Sequence, residues 1–441
     1  MPGRKTCLKE PSLSARSNRK PPILYFGNDW YAENRTSSHH IARWLAKDYS
    51  VYYVECPGLR APQGSSRDIK KIAQKLSRSL RRPVSVPEGL KVKTLFQIPF
   101  HRFASVRWLN KRLIAGSIWW LRWREGIKNP ITWFTIPHVP SLVGSMGEEL
   151  SVYYCTDDHG SLTDVNERAV RAMDEETTRR ASLVFVTSGT LLEGKRKLNP
   201  NVFVSPHGVH VEHFGRAQDE RLPVAADVSH LPRPVIGFFG LIEPRIDVEL
   251  IDYLAEQRPQ WTFLLIGRVA IPPHLLPSRS NIHFIGKRPY ESLPSYGRIF
   301  DATIIPYRQN RFNFHANPLK LREYLAMGKP VISIRTPEIE KYADVVAIAD
   351  SREEFLSRLD EALSAADPVG EAQRRMSRVT PESWENRLQA VHETVKLFRE
   401  RHGASIARPT GYSQFASGAD RSESPSSSCA TSPFTSPARH A

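Results

Sequence analysis

Acid is what this chain is short of. Its 441 residues carry 46 Asp and Glu against 62 Lys and Arg, a net charge of +16 at neutral pH. That excess calls for nucleic acid, acidic lipid or an anionic substrate as a partner, or for a solvated basic surface. Cysteine is scarce too. Cys7, Cys56, Cys155 and Cys429 are scattered, with no metal-type spacing and no disulfide framework, which favours a reducing cytoplasm. No run of about 18 apolar residues occurs, so no spanning helix is expected. The basic, polar residues 1–20 lack the apolar core of a secretory signal. No Asp-X-Asp triplet lies between Val235 and Arg401, so no metal is expected there. The first strand leads into Gly27-Asn28-Asp29-Trp30 rather than a Gly-x-Gly-x-x-Gly turn, which argues against dinucleotide redox chemistry.

What is present is a repeated grammar of short apolar strands and amphipathic helices, in a chain long enough for two domains. Strands are expected at 21–26, 51–55, 131–136, 151–155, 183–187 and 202–205. A helix at 38–49 turns Ile41, Trp44 and Leu45 inward. Strand, helix, strand in this order gives a parallel sheet with right-handed crossovers. A second set follows at 235–240, 261–267, 282–286, 302–306 and 331–334. The fold class is α/β: two Rossmann-like domains facing across a cleft, with disordered tails. Residues 1–20 read as a disordered basic arm and 21–215 as the first domain. Residues 216–380 read as a linker and second domain, and 381–402 as a helix crossing back to the first domain. The Ser- and Pro-rich stretch 403–441 reads as a disordered tail. Ligands bind at the carboxyl edges of such sheets.

One stretch, Asn317-Pro318-Leu319-Lys320-Leu321-Arg322-Glu323-Tyr324-Leu325-Ala326-Met327-Gly328-Lys329-Pro330, carries more information than any other. Pro318 suits the first turn of a helix. Gly328 is placed to end that helix, and Pro330 prevents its continuation. A helix start aimed into a cleft offers unpaired N–H groups and a positive dipole end to a phosphate. Lys320 adds a cation, and Glu323 stands where it can accept hydrogen bonds from ribose hydroxyls. The competing reading is generic, since any helix-to-strand unit of a doubly wound sheet can show this pattern.

The chain resembles bacterial GT-B glycosyltransferases of the cell-surface polysaccharide group, and is similar to the teichuronic-acid-type subgroup. The residues that carry the resemblance are Val152–Asp158, Pro206–Phe214, Ile236–Asp247, Asn281–Gly286 and the stretch just described. The resemblance implies that the second domain binds a nucleotide sugar, with Gly240, Arg245, His315, Asn317, Pro318, Leu319, Lys320 and Glu323 around it. Arg245 matches the position that binds the diphosphate, and Glu323 the one that binds ribose. Retention of anomeric configuration is implied as well. Two positions depart from the pattern. His315 stands where many relatives have an acid, and Leu241 where an Arg follows the glycine. The first domain would hold a glycan or lipid-linked acceptor. Asp29, His138, Asp157, Asp158 and His159 are the candidates for acid–base work on its strand ends, led by the Asp158-His159 cluster and then His138.

Two basic segments remain, residues 69–82 and 106–125. The second gathers Trp108, Trp119, Trp120 and Trp123 among Arg107, Lys111, Arg112, Arg122 and Arg124. Such faces suit an interfacial helix on the anionic inner face of a cell membrane. The bland alternative is a pair of helices packed on the sheet with charge facing water. Nucleic-acid binding is the rival from another class; no recognised motif supports it, so no nucleic acid is expected. A third reading is a GT-B-like binding protein that has lost activity.

Overall fold

The computed structural model describes residues 20–31, 35–56, 77–79, 81–95, 98, 104–162 and 165–402. The remaining parts of the arm and tail, and most of the basic segment at 69–82, lie outside the described residues. Two sheets form. The first has strands β1 (Ile23–Gly27), β2 (Val51–Glu55), β3 (Val84–Ser85), β4 (Lys91–Thr94), β5 (Ile131–Phe134), β6 (Leu150–Cys155), β7 (Leu183–Val186) and β8 (Val202–Val204). Their order is β3-β4-β2-β1-β5-β6-β7-β8, parallel except for β3. The second has β9 (Val235–Phe239), β10 (Thr262–Ile266), β11 (Ile282–Gly286), β12 (Ala302–Ile305), β13 (Val331–Ile334) and β14 (Ala347–Ala349), in the order β11-β10-β9-β12-β13-β14 and all parallel.

In each sheet the order reverses beside the first strand. β1 pairs with both β2 and β5, and β9 with both β10 and β12. Loops leaving β1 and β9 at their carboxyl ends therefore diverge from their neighbours and leave a crevice.

Alternation along the strands sends side chains to two faces. Tyr25, Tyr53 and Trp133 face one core layer with Ile41, Trp44 and Leu45 of the helix Ser37–Ala46. Leu24, Phe26 and Phe134 face the other, with Ile114, Ile118 and Leu121 of the helix Ala104–Glu125. The last helix, Trp384–His402, returns to the first domain and buries Trp384, Leu388, Val391 and Val395 in its core. Each such side chain is worth roughly 1.5–3 kcal/mol when fully buried, so this helix ties the two domains together. The connection between domains is not loose. Val228 is buried in the second core, and Asp227 takes bonds from Arg288 at 2.6 Å and Tyr296 at 2.9 Å.

Candidate active site

The donor-side crevice begins at Gly240, directly after β9. Its φ of +145° is a backbone conformation that residues with a Cβ rarely adopt. A Cβ there would also overlap the Cε of Lys320, because the lysine side chain lies across the glycine. Gly267, after β10, has φ +152°, and a Cβ on it would overlap the carbonyl of Gly240. Two glycine turns thus stack at the carboxyl edge and keep its backbone low.

The helix Leu319–Ala326 lies behind this edge. Leu321, Tyr324 and Leu325 bury its inner face, and the Tyr324 hydroxyl accepts the Phe239 N–H at 3.0 Å, fixing the helix to the end of β9. Gly328 ends it at φ +69°, and the Lys329 N–H returns to the Tyr324 carbonyl at 3.1 Å. Pro318 is not in the first turn. It occupies the position before it, with extended backbone, and no side chain caps the turn. The first amides are left for an anion.

Asn317 is turned away from this role. Its Oδ1 accepts from Arg322 at 2.8 Å and from the His207 N–H at 3.3 Å, and its Nδ2 donates to Glu338 at 2.6 Å. Glu338 also accepts the Gly189 N–H at 3.0 Å. The Asn317 side chain therefore locks the two domains to each other, and only the backbone after it can serve a ligand. Arg322, buried beside it, pairs with Glu382 at 2.7 Å. Glu382 also takes bonds from Tyr342 at 2.6 Å and Arg378 at 3.0 Å.

Glu323 is half-buried, and among the described residues its carboxyl has no hydrogen bond or ion pair, its backbone carbonyl accepting the Met327 N–H at 3.1 Å. Burial pushes its carboxyl up to about 7, against the pull of Lys320. An acid held near neutrality with no partner is poised for hydroxyl donors.

Arg245 lies further along the same loop. It pairs with Glu243 at 2.8 Å and stands 5.6 Å from the Tyr307 ring centroid and 5.3 Å from that of Phe312. Across the crevice, at the end of β6, is Asp157. Burial raises its carboxyl to about 6, while Arg245 pulls the other way. No hydrogen bond, ion pair or ring contact among the described residues links Arg245 to Lys320.

The leading pair of acid–base candidates is occupied otherwise. Asp158 accepts from Ser161 at 2.6 Å and from Arg171 at 3.1 and 3.2 Å. Burial opposes its charge, but these bonds outweigh burial and hold the carboxyl below the usual range. A carboxylate so paired is a weak base, and Asp158 anchors Ser161 and Arg171 at this edge. It still faces the crevice, since Arg311 of the second domain approaches it at 3.5 Å. His159 is buried next to it, and desolvation lowers its imidazole to about 4. It lies buried in the first domain, with Asp174 and Lys195 as its charged neighbours. His138 is half-buried at the end of the loop after β5. His315 ends the short helix Arg311–His315, with its Nδ1 buried and unbonded; burial lowers its imidazole, against the pull of Asp158.

Sequence reasoning passed over a cluster at the domain boundary. His40 stacks on Trp384 with centroids 5.0 Å apart, His210 Nδ1 lies 3.0 Å from the Tyr290 hydroxyl, and Arg35 pairs with Glu291 at 2.5 Å. The block Pro206–Phe214 was its only signal in the sequence. Glu338 and Glu382 had none, because their partners are distant along the chain.

Residues 233–365 match the family model described as Glycosyl transferases group 1. The Bacillus subtilis (strain 168) protein TuaH, named as a teichuronic acid biosynthesis glycosyltransferase, is 28% identical over 225 residues, covering 47% of this chain. The match spans 56% of that relative's length, little more than half. Among solved structures, sucrose-phosphate synthase from Thermosynechococcus elongatus superposes with a TM-score of 0.60 at 14% identity, covering 88% of this chain and all of that one (100%). Anabaena HepE, solved in complex with UDP and glucose, gives 0.59 at 14% identity, covering 86% of this chain and 100% of its own. These likenesses establish the architecture. The chain has the GT-B architecture, and most of its second domain matches the group 1 model.

Proposed function

We propose that this protein transfers a sugar from a nucleoside-diphosphate sugar to a hydroxyl of a glycan or lipid-linked acceptor, in cytoplasmic polysaccharide or cell-envelope biosynthesis. The observation that carries the reading is Lys320 lying over Gly240 at the carboxyl edge of β9, with the unpartnered Glu323 one turn further on. Lys320 and the amides from Leu319 onward hold the diphosphate, and Glu323 accepts the ribose hydroxyls. Arg245, released from Glu243 when donor arrives, stabilises charge on the departing nucleoside diphosphate. Asp157, raised towards neutrality at the facing edge, is the better placed of the paired aspartates to take a proton from the acceptor. TuaH's assigned pathway and the UDP and glucose in HepE support this direction. Retention of configuration is part of the proposal.

The test is a panel of nucleotide sugars assayed for binding and for donor hydrolysis. Binding with slow hydrolysis supports transfer. Failure of every member to bind refutes it. A second reading, a donor-binding protein with little catalysis, is favoured by His315 standing where an acid was expected. Binding without hydrolysis or transfer to any acceptor glycan would select it.

A further inference from the structure

We infer that the outward face of the helix Ala104–Glu125 docks on an anionic lipid bilayer. At about 100° per residue, Ile114, Ile118 and Leu121 fall in one sector, and all three are buried against the first sheet. The opposite sector should be polar on a helix that serves only to cover a sheet. Instead it carries Trp108, Trp119 and Trp123, which are 60%, 68% and 70% exposed. The rings of Trp119 and Trp123 stack with centroids 6.5 Å apart, and Leu109 and Leu113 extend the apolar surface on one flank.

Charge selects the partner. Lys111, Arg112 and Arg124 are exposed on and beside the tryptophan stripe. Arg112 lies over Trp108 at 5.3 Å, and Arg124 over Trp120 at 5.5 Å. None of the three meets a carboxylate among the described residues. The one acid of the helix, Glu125, is neutralised by Lys91 at 2.5 Å. Tryptophan at the headgroup level, with cations free to meet lipid phosphates, is the chemistry of a helix lying in the interface plane. From Trp108 to Trp123 the stripe runs about 22 Å at 1.5 Å per residue, long enough for several headgroups. Among the described residues no helix is long and apolar enough to cross a membrane, so contact here is lateral.

The helix precedes β5 and runs against the strand direction, so its first turns stand at the carboxyl edge of the sheet. Docking would bring the mouth of the crevice to the bilayer surface. The docking itself does not depend on the transfer chemistry.

The experiment is co-flotation of the full chain with phosphatidylcholine vesicles, with and without phosphatidylglycerol, at moderate salt. The wild type is expected to float only with phosphatidylglycerol present. The variant Trp108→Ser/Trp119→Ser/Trp123→Ser should lose at least about tenfold in vesicle affinity. Because these rings support no core, its melting temperature should hold. Lys111→Glu/Arg112→Glu/Arg124→Glu should lose binding in the same assay. Nucleotide binding on the same preparations separates the two proposals: lost flotation with nucleotide binding intact is a lesion in docking alone. Absence of wild-type flotation, or equal flotation by both variants, overturns the inference. So does a tryptophan variant that floats normally but sediments as a smaller species, which would make the face a contact between copies of this chain. Retention of RNA by the wild type and not by the charge variant, with no vesicle binding, overturns it in favour of nucleic acid.

Discussion

Glu323 offers a quantitative test of the donor site. Its carboxyl is raised from 4.5 to about 7, mainly by burial. Between those values the native chain holds a proton that the unfolded chain releases, so stability falls as pH rises through the window. The full shift is worth at most about 3 kcal/mol. Glu323→Gln removes that penalty and should be the more stable protein at pH 8, by up to about 3 kcal/mol. Donor binding has the opposite sign. Hydroxyl donors favour the ionised carboxylate, and its population falls about tenfold from pH 8 to pH 6 for a pKa near 7. The wild type should therefore bind a nucleoside diphosphate about tenfold more weakly at pH 6 than at pH 8, beyond any change seen in Glu323→Gln. Calorimetry in two buffers of different ionisation enthalpy at pH 7 should report release of about half a proton per ligand by the wild type relative to the variant. The comparison matters because the diphosphate itself and Asp157, raised to about 6, titrate nearby in both proteins. Equal pH profiles for the two proteins would refute a carboxylate role for Glu323.

Three further perturbations follow from the geometry. Gly240→Ala places a methyl where Lys320 lies, on a backbone at φ +145°; it should cost roughly 1–3 kcal/mol in thermal unfolding and weaken nucleotide binding by about tenfold or more. Arg322→Ala leaves Glu382 buried without its 2.7 Å partner; denaturant unfolding should show a loss of about 3 kcal/mol, and an unchanged midpoint would mean the pair is idle. Arg245→Ala should lower the transfer rate by roughly 100-fold with nearly unchanged donor affinity, the mark of an interaction made in the transition state; an equal loss of affinity would place Arg245 in ground-state binding.

The two-sheet architecture was legible because strand after strand is a short β-branched or aromatic run bounded by Gly or Pro, as in Val235–Phe239 before Gly240 and Val331–Ile334 after Pro330. The helix Leu319–Ala326 and its glycine stop were legible for the same local reason. β14, Ala347–Ala349, was not, because three residues at the sheet edge are too few to show a period. The helices Arg352–Leu363 and Pro368–Val379 were not legible either. In the crevice the limit was tertiary. Nothing near Asp158 in sequence announces Arg171, thirteen residues on, which turns a candidate base into an ion-pair anchor. Asn317 likewise owes its fate to Glu338 and His207, which approach from another helix and the other domain. Lys320 and Gly240 were brought together by the logic of strand ends, and their contact is a packing fact that no local pattern encodes.

The central claim is that the β9 edge and the helix Leu319–Ala326 hold a nucleoside diphosphate. A crystal structure of the protein soaked with UDP tests it most directly. The account predicts the diphosphate against Gly240, Lys320 and the Leu319 amide, with the ribose hydroxyls on Glu323. Density for the nucleotide elsewhere, with Lys320 still lying across Gly240, would contradict it.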